Sequence, residues 1–333
     1  MRLSRRALLR RSNRQNLGMI TVRVTCPHAL TESVVEVLRS TPNTSALVVM
    51  RDAVLSPHGD IVEVDVPREG ANMVINALVE LGVPGEGTIK VLEIPTWISD
   101  RGLRAEKAAP GDGADAVVWT EVIERSYDDS ALTFTYLAFM TLATLLAAIA
   151  VATDSVILVI GAMVLGPEFV PIAALGLAMV RKRPTLFRRA LRTLVIGFVV
   201  SIAAVALLSL IARWAGLVTA ADVDTTGRVG TSFIYSPSVW SFIIAVIAGA
   251  AGVLALTSSK SGGLAGVFIS VTTIPAAGNI AIASVFGLWQ EVWGSTVTLI
   301  VNVTGMALAG WATLAIQQAT WDRVRTRRLR RAD

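Results

Sequence analysis

Six long apolar runs restrict what this chain can fold into more than any other feature of its sequence. The runs cover approximately residues 131–151, 155–180, 193–212, 239–256, 263–288 and 293–316. A helix of about 20 apolar residues crosses the hydrocarbon core of a bilayer, and each run is long enough for that. Charged residues make up only 17% of the chain, whereas a soluble domain carries about 25%. The sequence therefore predicts an α-helical polytopic membrane domain over residues 130–318.

Arginine and lysine gather in three clusters that flank the apolar runs. They lie in a basic arm (residues 1–18), in a basic tail (residues 319–333), and in a loop that contains Arg181, Lys182, Arg183, Arg188, Arg189 and Arg192. Cytoplasmic loops carry such an excess of positive charge, and anionic lipid is the usual partner of such clusters. Six spans with both termini in the cytoplasm satisfy every loop, so we expect a multi-pass protein of the plasma (inner) membrane. Nucleic acid is not an expected partner, because no aromatic residues are interleaved with the arginines.

The N-terminal third predicts a small α+β domain over residues 19–95. Its segments alternate between strand and helix patterns, in the order MITVRVTC, LTESVVEVLRS, SALVVM, DIVEVDVP, EGANMVINALVELG and GTIKVLEI. We expect Thr31 to cap the first helix, with Val34, Val35 and Leu38 on its apolar face, and Gly82 to end the second. The resulting order, β-α-β-β-α-β, resembles the ferredoxin-like or ACT-like sandwich. The arm before this domain lacks the apolar stretch of a secretory signal. Met19 is an alternative start of the protein, since the first predicted strand begins there.

The turn after the first strand, CPHAL, is a candidate regulatory site. ACT-like domains often bind small ligands at this turn, and here it offers Cys26 and His28. The alternative is a turn whose cysteine and histidine have no ligand. Two residues are too few for a metal, and the only other histidine is His58, so the sequence predicts neither a metal site nor a cofactor.

Residues 96–129 connect the two predicted domains. The first part, SDRGLRAEKAAPGDGADA, is polar and contains proline and glycine, which favours a linker or exposed loop. The second part, VVWTEVIERSYDDS, has the pattern of an amphipathic helix that leads into the membrane. Trp119 and Tyr127 of that helix are candidates for the membrane interface.

The second and fifth apolar runs are interrupted at matching positions. The second contains GPEFVP (residues 166–171) and the fifth contains SVTTIPAAGN, so that Pro171 and Pro275 lie 104 positions apart. Thr153 and Thr257 have the same separation. A three-span unit that is repeated once is inverted the second time, as in secondary transporters whose broken helices form the substrate site near the bilayer midplane. Chance is the alternative, since two matching pairs are few.

The same segments carry a family resemblance. FMTLATLLAAIAVATDSVILVIGAMVLGPEFVPIAALGLAMV, RRALRTLVIGFVVSI, AGAAGVLAL and GVFISVTTIPAAGNIAIA together resemble an uncharacterised hydrophobic membrane-protein family of bacteria and archaea, the domain of unknown function 389. The resemblance covers about residues 130–315. Many members have an apolar residue where this chain has Glu168, and a second proline near Ala276. The resemblance implies the membrane architecture, and the family has no established activity to carry over.

Glu168 is the sharpest candidate for a functional residue. A carboxylate at the centre of a span costs about 2.5–3.5 kcal/mol on insertion scales and usually marks a functional site; here it is a candidate proton carrier. The alternative is a structural glutamate that caps the N–H groups of the broken helix. The full predicted solute or ion site consists of Gly166, Pro167, Glu168, Pro171, Thr272, Thr273, Pro275, Asn279 and Asn302.

Several of these residues have a structural alternative. Under the repeat, Thr272, Thr273 and Asn279 face Glu168 across the pseudo-axis, whereas the threonines can instead bond back to their own helix. Asp154 lies at a span end, where it can cap the following helix. Glycines favour close approach of helices, and the candidates are Gly161, Gly166, Gly249, Gly252, Gly263 and Gly266.

The sequence favours transport over catalysis. The membrane region has no histidine, no cysteine, no HExxH and no GxSxG, so we do not expect an enzyme. Our leading hypothesis is a transporter or ion-coupled carrier of a small solute or ion, regulated by the ACT-like domain. The alternatives are a membrane-anchored ligand sensor or scaffold and a passive channel. A homo-oligomer is expected, because ACT-like domains often pair and glycine-rich spans can pack between protomers.

Overall fold

The computed structural model describes residues 18–41, 43–94, 97, 99–108, 117–223, 230–236, 238–257 and 273–332. Residues 107, 108 and 321–332 are described by their backbone alone. The chain divides into two compact units. The first contains the described residues up to Val122 and the end of the last helix from Trp321, and the second contains nearly all described residues from Ile123 to Thr320. The first is a small sheet domain and the second is a set of apolar helices.

The sheet domain contains the element order that the sequence predicts. Its elements are β1 (Met19–Cys26), α1 (His28–Ser40), β2 (Ala46–Leu55), β3 (His58–Pro67), α2 (Arg68–Glu80), α3 (Val83–Glu86), β4 (Thr88–Glu93), α4 (Asp100–Ala108) and the start of α5 (Trp119–Asp129). The four strands form one antiparallel sheet in the order β2-β3-β1-β4.

Alternating apolar residues build the core of this domain. Val22 and Val24 of β1 are buried beside Val62 and Val64 of β3, because successive side chains of a strand point to opposite faces. The helices cover this face with Val34, Val35 and Leu38 of α1 and Val74 and Leu78 of α2. Full burial of each such side chain contributes about 1.5–3 kcal/mol. The predicted apolar face of α1 is confirmed.

One local prediction in this domain is wrong. Thr31 does not cap α1, which begins at His28 after Pro27; the Thr31 hydroxyl instead donates to the Asp60 carboxylate, Oγ1 to Oδ2 2.6 Å. The predicted linker contains α4, because its alanine, glutamate and lysine residues favour helix. The helix stop at Gly82 is confirmed: this glycine has φ +83°, a left-handed conformation that side chains disfavour.

The second unit consists of apolar helices joined mostly by short turns. After the end of α5 come α6 (Phe134–Ala152), α7 (Val156–Leu165), α8 (Phe169–Val180), α9 (Pro184–Trp214), α10 (Val239–Thr257), α11 (Thr273–Phe286) and α12 (Trp289–Ala332). Among the described residues, four helices are long and apolar enough to cross a membrane: α6, α9, α10 and the first 32 residues of α12. The bent pair α7 and α8 makes a fifth.

The count of spans therefore reaches five where the sequence predicts six. The remaining run, 263–288, is represented by α11, an apolar helix of 14 residues. Residues 263–272 of that run lie outside the part of the chain that the structure describes. These helices expose large apolar side chains over much of their length, including Ile157, Val199 and Ile300. A broad apolar exterior of this kind is suited to lipid, so the second unit is that of a membrane protein.

Helix boundaries recur at a constant spacing along this unit. The first residues of α6 and α10, Phe134 and Val239, lie 105 positions apart, and each helix has 19 residues. The first residues of α9 and α12, Pro184 and Trp289, also lie 105 positions apart.

One end of the helical unit is marked by exposed tryptophans. Asp154, in the turn between α6 and α7, accepts hydrogen bonds from Gly230 and Thr231 of the segment before α10. Arg213 near the end of α9 donates to the carbonyl of Val285 near the end of α11, Nη1 to O 2.6 Å. These contacts lie at one end of the helical unit. We name it the tryptophan end, because the helix ends there carry exposed Trp214, Trp240, Trp289 and Trp293.

Candidate functional site

A proline sets the break between α7 and α8. Proline disfavours the helical conformation of the residue before it, and Gly166, which precedes Pro167, has φ −67° and ψ 122°. α7 therefore ends at Leu165, and α8 begins at Phe169 after a bend of 56°. Pro171 is the third residue of α8, in the first turn, where a missing N–H breaks no bond of the helix. The predicted interruption of the second apolar run is confirmed.

The break buries Glu168 against the start of α11. The Glu168 side chain is only 1% exposed, and its Oε1 accepts a hydrogen bond from Oγ1 of Thr273 at 2.7 Å. Thr273 is itself fully buried. The carboxylate in the first break is thus held by the helix that carries Pro275, the matching proline of the fifth run.

Tyr136 of α6 lies close enough to Glu168 to interact with it electrostatically. Its ring packs on Gly197 of α9, where an added Cβ would lie 2.8 Å from Cε1 of the ring. The Tyr136 hydroxyl is buried and has no hydrogen-bond partner among the described residues. Sequence reasoning missed this residue, because a tyrosine in the first turn of a span is usual at a membrane interface.

Asn279 belongs to a second polar cluster, between α11 and α12. Its Nδ2 donates to Glu291 Oε2 at 3.2 Å and to Ser295 Oγ at 2.9 Å. All three side chains are buried. Glu291 lies between the predicted apolar runs 263–288 and 293–316, whereas α12 begins at Trp289 and places the carboxylate in its first turn. The described part of the unit therefore contains two buried carboxylates, Glu168 and Glu291, of which the sequence predicted the first.

The other predicted site residues are placed as follows. Pro275 is buried in α11, and Thr272 lies outside the described residues. Asn302 of α12 is fully buried, and neither atom of its amide has a hydrogen-bond partner in the described part of the chain. Asp154 does not cap α7; Ser155 does, through its Oγ and the N–H of Leu158.

A cavity of about 340 Å³ lies at the tryptophan end, separate from Glu168. Its walls are mostly apolar and come from α6, α9, α11 and the segment after α9. The polar side chains on its walls are Thr153, Ser209 and Asp222. Asp222 accepts hydrogen bonds from the N–H and the hydroxyl of Thr219, which lower the pKa of its carboxyl. The cavity therefore has an anionic group at its edge.

The polar groups that meet at the candidate regulatory turn of the sheet domain differ from those that the sequence predicts. Cys26 is buried in the core, and this burial raises the pKa of its thiol. His28 is exposed, with Nδ1 3.0 Å from Asp60 Oδ1 and Nε2 3.4 Å from Asp52 Oδ1. The two aspartates were missed, because they lie 24 and 32 positions along the chain from His28 and only the pairing of the strands brings them together.

The comparison with protein families assigns part of the chain. Residues 163–308 match the family described as "Domain of unknown function (DUF389)". This segment is similar to that family. No curated protein and no solved structure matches the chain.

The DUF389 segment contains the whole predicted solute or ion site. It runs from α7, just before the break at Glu168, to the middle of α12 just beyond Asn302. The sheet domain and α6, which carries Tyr136, lie outside it. The family resemblance predicted from about 130–315 is thus confirmed over the narrower segment 163–308.

Proposed function

We propose that this protein is a transporter or ion-coupled carrier of a small solute or ion, with Glu168 as the group that binds the coupling proton or cation. The observation that carries the proposal is the burial of Glu168 in a helix break, where Thr273 of another helix holds it. A carboxylate inside a membrane domain is costly and is retained mostly where it contacts protons, ions or substrate. The backbone groups freed at a break require protein or water as partners, and both occur at transport sites.

The spacing of the helices supports an inverted repeat as the frame of this site. Two three-span units, one of α6 to α9 and one of α10 to α12, have first and third helices that begin 105 positions apart. Pro171 of α8 and Pro275 of α11 lie 104 positions apart, close to the spacing of the helix starts. An odd number of spans inverts the second unit and brings its broken span towards the first, near the midplane.

The sheet domain fits a regulatory role in this proposal. Its order β2-β3-β1-β4, with helices after β1 and β3, is that of the ferredoxin-like and ACT-like sandwiches. Such a fold hosts many functions, so the assignment rests on the exposed polar turn at His28. We propose that this domain lies in the cytoplasm with the basic clusters, that anionic lipid contacts those clusters, and that the protein forms a homo-oligomer.

Reconstitution into liposomes tests the transport proposal. The purified protein is incorporated with an internal pH or ion indicator, and flux is driven by an imposed proton or cation gradient. We expect flux through the wild type, a loss of at least about tenfold in Glu168→Gln, and a smaller loss in Thr273→Val, which keeps the carboxylate and removes one hydrogen bond. Glu124→Gln, which neutralises an exposed carboxylate of α5, is the matched control and leaves flux unchanged.

The experiment also separates the alternatives. Flux in the wild type that Glu168→Gln leaves intact contradicts the role of Glu168. Flux that follows the gradient of one ion with no coupled solute indicates a passive channel. The absence of any flux favours the sensor, a second candidate supported by the exposed His28 turn, in which Glu168 only secures the broken helix.

A further inference from the structure

We propose that His28, Asp52 and Asp60 form a binding site for a divalent transition-metal ion in the sheet domain. One nitrogen of His28 and one oxygen of each carboxylate lie within 4.8 Å of one another. Metal–ligand bonds of about 2.0–2.2 Å place ligand atoms up to roughly 4.2 Å apart. The closest contacts use different nitrogens of the ring, Nδ1 to Asp60 Oδ1 at 3.0 Å and Nε2 to Asp52 Oδ1 at 3.4 Å. A metal ion binds one of these nitrogens, so its binding requires a small rotation of the exposed His28 or Asp52 side chain.

The site is built on a rigid part of the domain. Asp60 is fully buried, and its carboxylate is fixed by the Thr31 hydroxyl at Oδ2, 2.6 Å, and by the N–H of Asp52 at Oδ1, 2.8 Å. Next to it, Gly59 lies against β1, where an added Cβ would be 2.3 Å from the carbonyl oxygen of Cys26. The β2–β3 hairpin and the start of α1 therefore hold the three ligands at one edge of the sheet.

The charges favour a cation at this place. The Asp60 carboxylate accepts hydrogen bonds from the Thr31 hydroxyl and from the N–H of Asp52, and such bonds favour its ionised form. Asp52 adds a second carboxylate beside a histidine that is neutral when it binds metal. Arg51, the neighbouring cation, is paired with Glu32. A divalent ion would neutralise the two carboxylates, which otherwise repel each other.

The ligand types indicate the class of metal. Imidazole nitrogen suits Zn²⁺, Co²⁺, Ni²⁺ or Fe²⁺, whereas Mg²⁺ and Ca²⁺ prefer sites made of oxygen alone. Three protein ligands leave at least one coordination position open, and the site lies at the surface, where His28 and Asp52 are exposed. Water or a small anionic ligand can occupy that position. Bound metal would join α1 to the β2–β3 hairpin, a contact that could transmit metal availability to the rest of the chain.

Metal titration of the full chain tests this site. Tag-free protein in detergent is stripped with chelator and titrated with Co²⁺, whose absorption spectrum reports its ligands, and bound Co²⁺ is then competed with Zn²⁺ and with Mg²⁺. We expect one ion per chain, displacement by Zn²⁺, and no displacement by equimolar Mg²⁺. His28→Gln and Asp52→Asn, both exposed, should each weaken binding by about tenfold or more.

His58→Gln is the matched control, because His58 is the other histidine of the chain and is also exposed. It should bind Co²⁺ like the wild type. Asp60→Asn is not decisive alone, since Asp60 also holds the hairpin through Thr31. The proposal is overturned if the stripped wild type binds no Co²⁺, or if His28→Gln binds it with unchanged affinity and spectrum; His28 is then only a hydrogen-bonding bridge between two carboxylates.

Discussion

At the scale of single residues, this protein differs from a simple bundle of apolar helices by the polar groups it buries. Glu168 and Glu291 are both buried, and each accepts a hydrogen bond from another helix, from Thr273 and from Asn279. Burial of a hydrogen-bonded polar group costs less free energy than burial of an unpaired one. These pairs therefore specify which helices are neighbours, in addition to the packing of apolar side chains.

Two buried asparagines allow a matched prediction. The amide of Asn302 has no partner among the described residues, whereas Asn279 donates to Glu291 and Ser295. Asn302→Leu should therefore raise the thermal midpoint, because an unpaired buried amide costs about 1–3 kcal/mol. Asn279→Leu should lower it, because Glu291 loses a donor. Tryptophan fluorescence during heating in detergent measures both midpoints.

The two asparagines also separate stability from function. If Asn302 belongs to the solute site, Asn302→Leu loses flux in liposomes while its thermal midpoint rises. A fall in the midpoint of Asn302→Leu would show that the amide has a structural partner and would contradict this prediction.

Sequence analysis selected residues that a regular spacing along the chain marks, and it missed residues that have no such pattern. Glu168 and Thr273 were selected together because prolines mark both breaks at a separation of 104. Glu291 was missed because a polar residue next to a predicted span end was counted with the loop. Asp52 and Asp60 were missed because no local pattern reveals that β2 and β3 bring them beside His28.

At the scale of elements, glycines decide which helices approach closely. An added Cβ at Gly249 of α10 would lie 2.5 Å from the carbonyl oxygen of Met306 of α12, and one at Gly278 of α11 would lie 2.6 Å from the Cβ of Ala147 of α6. Gly161 of α7 meets only the end of the Leu146 side chain, at 3.5 Å. The sequence named Gly161 and Gly249 alike, since composition does not show which face of a helix meets a backbone.

We expect Gly249→Ala to destabilise the helical unit by about 1–3 kcal/mol, because α10 and α12 must separate to admit the methyl group. Gly161→Ala is the control and should be neutral or slightly stabilising, since alanine favours helix over glycine by about 1 kcal/mol. Thermal midpoints in one detergent measure the difference. Equal midpoints for the two variants would mean that Gly249 does not set the distance between these helices.

The break at Pro167 was predictable from sequence because proline acts locally. Pro167 forces Gly166 out of the helical conformation whatever the surrounding structure is. The helix α4 and the earlier start of α12 at Trp289 were not predicted, since glycine, proline and charge counts gave no measure of the contacts that stabilise these segments.

At the scale of the whole molecule, the helical unit has two chemically different ends. Exposed tryptophans mark one end, where Trp214 ends α9. The turn before α9 carries Arg181, Lys182 and Arg183 and lies at the opposite end of that helix. Tryptophan is enriched at both membrane interfaces and does not orient a protein, whereas lysine and arginine in short loops do. We therefore predict that the turn at Arg183 faces the cytoplasm and that the tryptophan end faces away from it.

Cysteine labelling in intact cells checks this orientation. Cys26 is the only cysteine, so Cys26→Ser gives a background without thiols. Into it we place Ser238→Cys, just before α10 at the tryptophan end, or Arg183→Cys, just before α9; both positions are exposed. A membrane-impermeant maleimide should label position 238 at once and position 183 only after the membrane is permeabilised. The reverse pattern would mean that the basic turn lies outside the cell. Labelling of both positions in intact cells would mean that α9, which lies between them, does not span the membrane.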